Sequence, residues 1–183
     1  MKYGISYGKF SVPLYRVYAT PLVGVTPIPE SSFIGRANNL LAAEIDVEVF
    51  GDNFLPAYTA GDNSQVVATD SMKNYILRHA LENSSATLEE LLYTLGMGLL
   101  ARYEQMRALA VSGRELPFTA ATVPDGAGGF TASAALFHRS HDDYGLASLA
   151  FERDEAGNGV LAEHRCGRAG LQLLKITGSA FTH

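Results

Sequence analysis

A chain of 183 residues that is 47% hydrophobic and 18% charged can bury a continuous core, which excludes a disordered polypeptide. A formal net charge of −5 argues against a general nucleic-acid binder, because phosphate neutralisation needs clustered Lys and Arg. Cys166, the single cysteine, permits neither an internal disulfide frame nor a thiolate metal cluster, and no apolar run approaches a bilayer span.

The segment "KFSVPLYRVYATPLVGV", rich in Val, Tyr and Phe, predicts a first strand with a bulge or a sheet edge at Pro13. "TPIPESSFIGRANN" is dense in Pro, Ser, Gly and Asn and predicts a long connection. In "LLAAEIDVEVFG" the alternation puts Ile45, Val47 and Val49 on one face and Glu44, Asp46 and Glu48 on the other. That pattern describes an antiparallel strand with one wet side.

Two helices are predicted next. From Ser71, the residues Met72, Tyr75, Ile76, His79 and Ala80 recur at helical spacing. The second helix opens on Thr87-Leu88-Glu89-Glu90, a capping box, and continues as a stripe of Leu88, Leu91, Leu92, Leu95, Leu99 and Leu100. Gly96 and Gly98 each cost about 1 kcal/mol of helix propensity, so a close approach to a sheet or another helix is expected there.

Beyond the helices, "YEQMRALAVSGREL" reads as a strand, and "GGFTASAALFHR" with "YGLASLAFERD" as a hairpin, with turns at "PDGAGG" and "RSHDDYG". "EAGNGVLAEHRCGRAG" reads as a mixed connection, and "LQLLKITGSAFTH" as a fresh strand. The order strand, strand, helix, helix, strand, strand implies an α+β fold, an antiparallel sheet with two helices on one face.

The candidate site lies where an apolar run hands over to a helix, at Val66-Val67-Ala68-Thr69-Asp70-Ser71. Taken alone, Thr69 and Asp70 read as helix caps, Lys9 as a surface lysine and Phe181 as a core residue. The His138 to Asp143 run reads as a solvated turn rather than a metal site, and "GAGG" at 126–129 as a turn rather than a phosphate loop.

Three blocks in order change that reading: Tyr7-Gly8-Lys9 ahead of a Val-rich strand; Tyr58-Thr59, Asp62-Asn63-Ser64, Val67-Ala68-Thr69-Asp70-Ser71 and Lys73-Asn74; and Leu174-Lys175, Thr177, Ser179 and Phe181. Together they resemble the urate oxidase (uricase) family of tandem T-fold proteins. The resemblance implies a T-fold domain over residues 1–165 and the opening strand of a second, truncated one over 166–183. It implies that Lys9 and Thr69 form a proton relay, that Thr69 and Asp70 hold the edge of urate, and that Phe181 stacks on the ring from a neighbouring subunit. It also implies oxidation of urate by O2 and water with no metal or organic cofactor, in a cytoplasmic homo-oligomer, a tetramer, that needs neither nucleic acid nor membrane.

The match has departures. The second domain's urate-clamping arginine and glutamine, its asparagine and its relay histidine have no counterpart before His183. The first connection is longer than in the family's simple hairpin, and no His-Pro-His segment follows the third strand. A catalytically silent T-fold acting as scaffold or partner subunit is the competing expectation, and a T-fold enzyme acting on pterins or GTP is a more distant one.

Overall fold

The computed structural model describes residues 4–139, 141–172, 174 and 176. Strand β1 (Ser6–Val17) pairs antiparallel with β2 (Leu40–Phe50). A 3-10 turn (Asp52–Phe54) and a short helix α1 (Leu55–Thr59) lead to the two main helices, α2 (Thr69–Glu82) and α3 (Leu88–Arg102). Five strands follow: β3 (Ala108–Glu115), β4 (Phe118–Pro124), β5 (Phe130–Arg139), β6 (Tyr144–Arg153) and β7 (Gly159–Ala169). The main sheet runs β1-β2-β3-β6-β7, antiparallel throughout, while β4 and β5 form a separate ribbon inserted between β3 and β6. No helix among the described residues is long and apolar enough to cross a membrane.

The predicted ββααββ order is the frame β1-β2-α2-α3-β3-β6. Two expectations change. The segment after "RSHDDYG" does not close a hairpin with β5: β5 pairs with β4, a strand not anticipated, and β6 pairs with β3 and β7. "PFTAATVP" escapes a sequence reading because Pro and small residues mask its alternation. The stretch read as a mixed connection contains β7, which runs without a break through 165–166, where the sequence placed the boundary to a second domain. Its residues from Leu161 to Arg168 are exposed, so no apolar period marked it as a strand.

The edge expected near Pro13 is real, since β1 is the outer strand. The bulge lies just before it: pairing jumps between Lys9 and Val12, with Ser11 at φ 53°. Ser11 leaves the ladder, and its N–H donates instead to Asp46 Oδ1 at 2.6 Å. A bulge bends its strand and re-aims the side chains beside it, here Lys9.

Helices α2 and α3 cover one face of the sheet, α2 against β1 and α3 against β3, β6 and β7. The alternation of β2 holds, with Ile45, Val47 and Val49 fully buried beneath the helices. All six leucines of the α3 stripe are buried, each contributing about 1.5–3 kcal/mol. Thr87 Oγ1 accepts the Glu90 N–H at 3.2 Å, while Glu90 Oε2 accepts from Ala86 N–H at 3.0 Å, one residue before its capping-box position. The two helical glycines differ in purpose: a Cβ on Gly96 would enter the Phe151 ring on the sheet, and one on Gly98 would meet the Tyr75 hydroxyl on α2.

The long connection after β1 is tied to the body. Arg36 donates twice to Glu115, at 2.8 and 3.1 Å, and buried Asn38 donates to the Thr20 and Ala86 carbonyls.

Candidate active site

Helix α2 starts at Thr69, with Ala68 in the N-cap position at φ −57° and ψ 133°. Ala68 has no side-chain oxygen, so it cannot accept the first amides of the helix. The ordinary reading of Thr69 as a cap therefore fails: Thr69 is the first helical residue and Asp70 the second. Ser71 and Met72 turn their N–H groups back to the Ala68 carbonyl, at 3.0 and 3.3 Å. A helix start without a side-chain cap presents donors and the positive end of the macrodipole to an anion.

Lys9 reaches this helix start from β1. Its Nζ stands 3.4 Å from Asp70 Oδ1, with the Lys9 side chain 32% exposed and that of Asp70 84% exposed. The amine thus points to the residue after its expected partner, because the carboxylate in the first turn offers the stronger attraction. Thr69 is partly buried beside it. Phe181, with Lys175, Thr177 and Ser179 of the third block, lies outside the described residues. The structure brings together Lys9 and Asp70 and carries Thr69 between Asp70 and the N-cap.

Gly8 and Tyr7 explain the rest of the first block. A Cβ on Gly8 would strike the Val47 carbonyl across the β1–β2 pair, so only glycine fits there. Tyr7 packs edge-on against Phe54, ring centroids 4.9 Å apart, and its hydroxyl accepts the N–H of buried Val67 at 2.9 Å. Burial pushes the Tyr7 phenol pKa above its ordinary 10.0, against the pull of the Val67 N–H. Sequence reasoning missed this contact, since a tyrosine on a strand looks like any packing aromatic. In the second block, Asp62 folds into its own turn: Ser64 N–H donates to Asp62 Oδ1 at 2.9 Å, which holds the carboxyl below its ordinary value.

Two clefts lie outside this cluster. One, of about 330 Å³, runs along α2 between Ser71, Tyr75, Arg78, His79, Arg102 and Tyr103. The other, of about 300 Å³, is walled by Arg36, Glu115, Phe118, Phe137, Asp143 and Arg168. Lys9, Thr69 and Asp70 line neither, and this partly exposed cluster suits a site completed by another surface. Among the described residues no group of three or more His, Cys, Asp and Glu side chains is placed to hold a metal. His141 pairs with Asp143 at 2.6 Å, and Cys166 is an exposed free thiol on β7.

Comparison with known proteins follows the same lines. The Uricase family model matches residues 51–148, more than half of the chain. A uricase from Haloferax volcanii is 48% identical over 179 residues, covering 97% of this chain and 58% of that protein. The crystal structure of urate oxidase from Bacillus sp. TB-90 superposes with a TM-score of 0.87 at 35% identity, covering 98% of this chain and 61% of that one. A uricase structure from Bacillus fastidious gives a TM-score of 0.88 at 37% identity, covering 98% and 56%. The chain therefore spans a little over half the length of these relatives, and the α+β fold it shares with them is the T-fold. On this sequence and this fold, the chain belongs to the uricase family.

Proposed function

We propose that this chain supplies the first T-fold domain, and the start of a second, of a cofactor-independent urate oxidase. The reaction is urate + O2 + H2O → 5-hydroxyisourate + H2O2. The observation that carries the reading is the approach of Lys9 to the side-chain-uncapped start of α2, at 3.4 Å from Asp70.

In this reading the Thr69 hydroxyl and the Asp70 main-chain N–H hold the edge of the purine anion. The helix dipole favours negative charge there. Lys9, through Thr69, takes a proton from urate, which makes the ring electron-rich enough to reduce O2. Phe181 of a neighbouring subunit stacks on the ring. On the same reading the enzyme is a cytoplasmic homo-oligomer, a tetramer, in which open sheet edges meet and each site is shared. The first T-fold, so read, closes with β7, and the sequence beyond it resembles the opening strand of a second.

The experiment is to mix the purified chain with urate in air, following urate absorbance and peroxide together. Loss of urate with equimolar peroxide supports the reading. Binding of urate without turnover would mark the chain as a silent partner domain, and no binding would overturn the site.

A further inference from the structure

The segment that delivers Thr69 and Asp70 to the site has no regular structure: residues 60–68 cross from α1 to α2 as turns and extended chain. Val67 anchors it, with its side chain buried in the core. The Val67 amide is two residues from Thr69, has no strand or helix partner, and donates to the Tyr7 hydroxyl at 2.9 Å. Tyr7 is in turn two residues before Lys9, on the same face of β1 in a strand of period two. One phenol oxygen therefore couples both halves of the candidate site, the strand that carries the amine and the chain that carries the helix start. Phe54 packs edge-on against the Tyr7 ring and fixes where that oxygen can be. The bulge at Ser11 lies on the other side of Lys9, so the lysine is held between two backbone fixings.

We infer that Tyr7 is a positioning residue: its hydroxyl latches the Val67 amide and so sets Thr69 and Asp70 against Lys9. The latch touches neither substrate nor the reacting atoms. It acts by making one arrangement of two distant segments the satisfied one, since a buried N–H without an acceptor is costly. As a device for urate it rests on the functional reading above; as a structural coupling it stands apart.

The test uses the whole chain with Tyr7→Phe, which keeps the ring and its contact with Phe54 and removes only the oxygen. Leu149→Ala is the control, since it loosens the core on β6 while leaving Tyr7, Phe54 and Val67 as they are. Amide hydrogen exchange is read at Val67 and Thr69 to Met72, against the amides of α3, and urate binding is read by ultraviolet difference titration. In Tyr7→Phe, Val67 should exchange about tenfold faster or more with α3 unchanged, and urate should bind about tenfold more weakly. Leu149→Ala should lower the urea midpoint further than Tyr7→Phe does, yet hold urate affinity within about twofold. The inference is overturned if Tyr7→Phe keeps the Val67 protection of the parent, if both variants lose affinity in step with their stability, or if Tyr7→Phe does not fold. Failure of the parent chain to bind urate would overturn the functional reading instead, and the Val67 exchange rates would then decide the latch alone.

Discussion

Lys9 and Asp70 stand 61 residues apart in sequence and 3.4 Å apart in space. One is on the bulged edge strand β1 and the other in the first turn of α2, so the contact exists only because strand and helix pack together. The Asp70 side of the pair is in solvent, and exposed ion pairs contribute about 0–1 kcal/mol. Its value lies in where it places the amine.

On the proposed relay, Lys9→Met should leave the fold almost untouched while removing proton transfer. The urea midpoint is expected to shift by less than about 1 kcal/mol of equivalent stability. Urate turnover should fall by about 10²-fold or more, the usual loss when a general base is deleted. Measuring both on the same preparation separates a chemical role from a structural one, and a large loss of stability with proportionate loss of activity would contradict the assignment.

The two glycines of α3 predict unequal outcomes for the same substitution. Gly96→Ala drives a methyl into the Phe151 ring, which is itself buried and cannot yield, and should cost about 1–3 kcal/mol by overpacking. Gly98→Ala meets only the hydroxyl end of Tyr75, which borders the cleft between α2 and Arg102 and can tip into it. There the gain of about 1 kcal/mol in helix propensity offsets the contact, so the net change should be near zero. Urea unfolding of the two variants side by side checks the ranking.

Arg153 is a structural element that no sequence pattern announced. Its guanidinium donates to the carbonyls of Met106, Leu100, Tyr103 and Gly157, at 3.0, 2.7, 3.3 and 2.7 Å. It thereby satisfies the C-terminal end of α3 and fastens the β6–β7 turn. Arg153→Met should destabilise the chain by about 2–3 kcal/mol in urea unfolding, with Arg153→Lys recovering only part, since an ammonium cannot reach such a spread of acceptors.

Acid should weaken the fold through its aspartates. The Arg168 guanidinium, with His141 adding to it, holds the Asp143 carboxyl below its ordinary 3.8. Backbone N–H groups do the same for Asp125 and Asp154 in their turns. A carboxyl depressed in the folded state leaves the unfolded chain binding more protons between the two values. The stability it contributes is thus present above 3.8 and is lost as pH falls through the folded values. Urea midpoints measured from neutral pH down to about 2 should fall most steeply below pH 4 or so, and Asp143→Asn should flatten that descent.

The frame of the fold was legible because its elements carry strong local periods. The α3 leucines repeat at helical spacing and Ile45, Val47 and Val49 alternate, and both patterns end up buried against each other. Strands β4 and β7 were not legible for the opposite reason. Most of their side chains face solvent on both sides, so pairing is carried by backbone bonds that the residue types do not encode. The site divides the same way. Lys9, Thr69 and Asp70 were visible as a family pattern, but the Tyr7–Val67 bond, the vacant cap at Ala68 and the Asp70 end of the lysine contact depend on tertiary geometry.

The cap position offers the sharpest test of the site. Ala68 already has the extended backbone of an N-cap, so Ala68→Ser would place an oxygen where the Asp70 or Ser71 amide can donate to it. In most helices this substitution is a plain gain of about 1 kcal/mol, and the same increase is expected here in urea unfolding. If the amides at the start of α2 are the urate contacts, the serine competes for them, and urate affinity should drop by about 3- to 10-fold while stability rises. A serine that stabilises the chain and leaves urate binding unchanged would show that these amides do not meet the substrate. Opposite signs for stability and binding are difficult to produce by general damage, which lowers both.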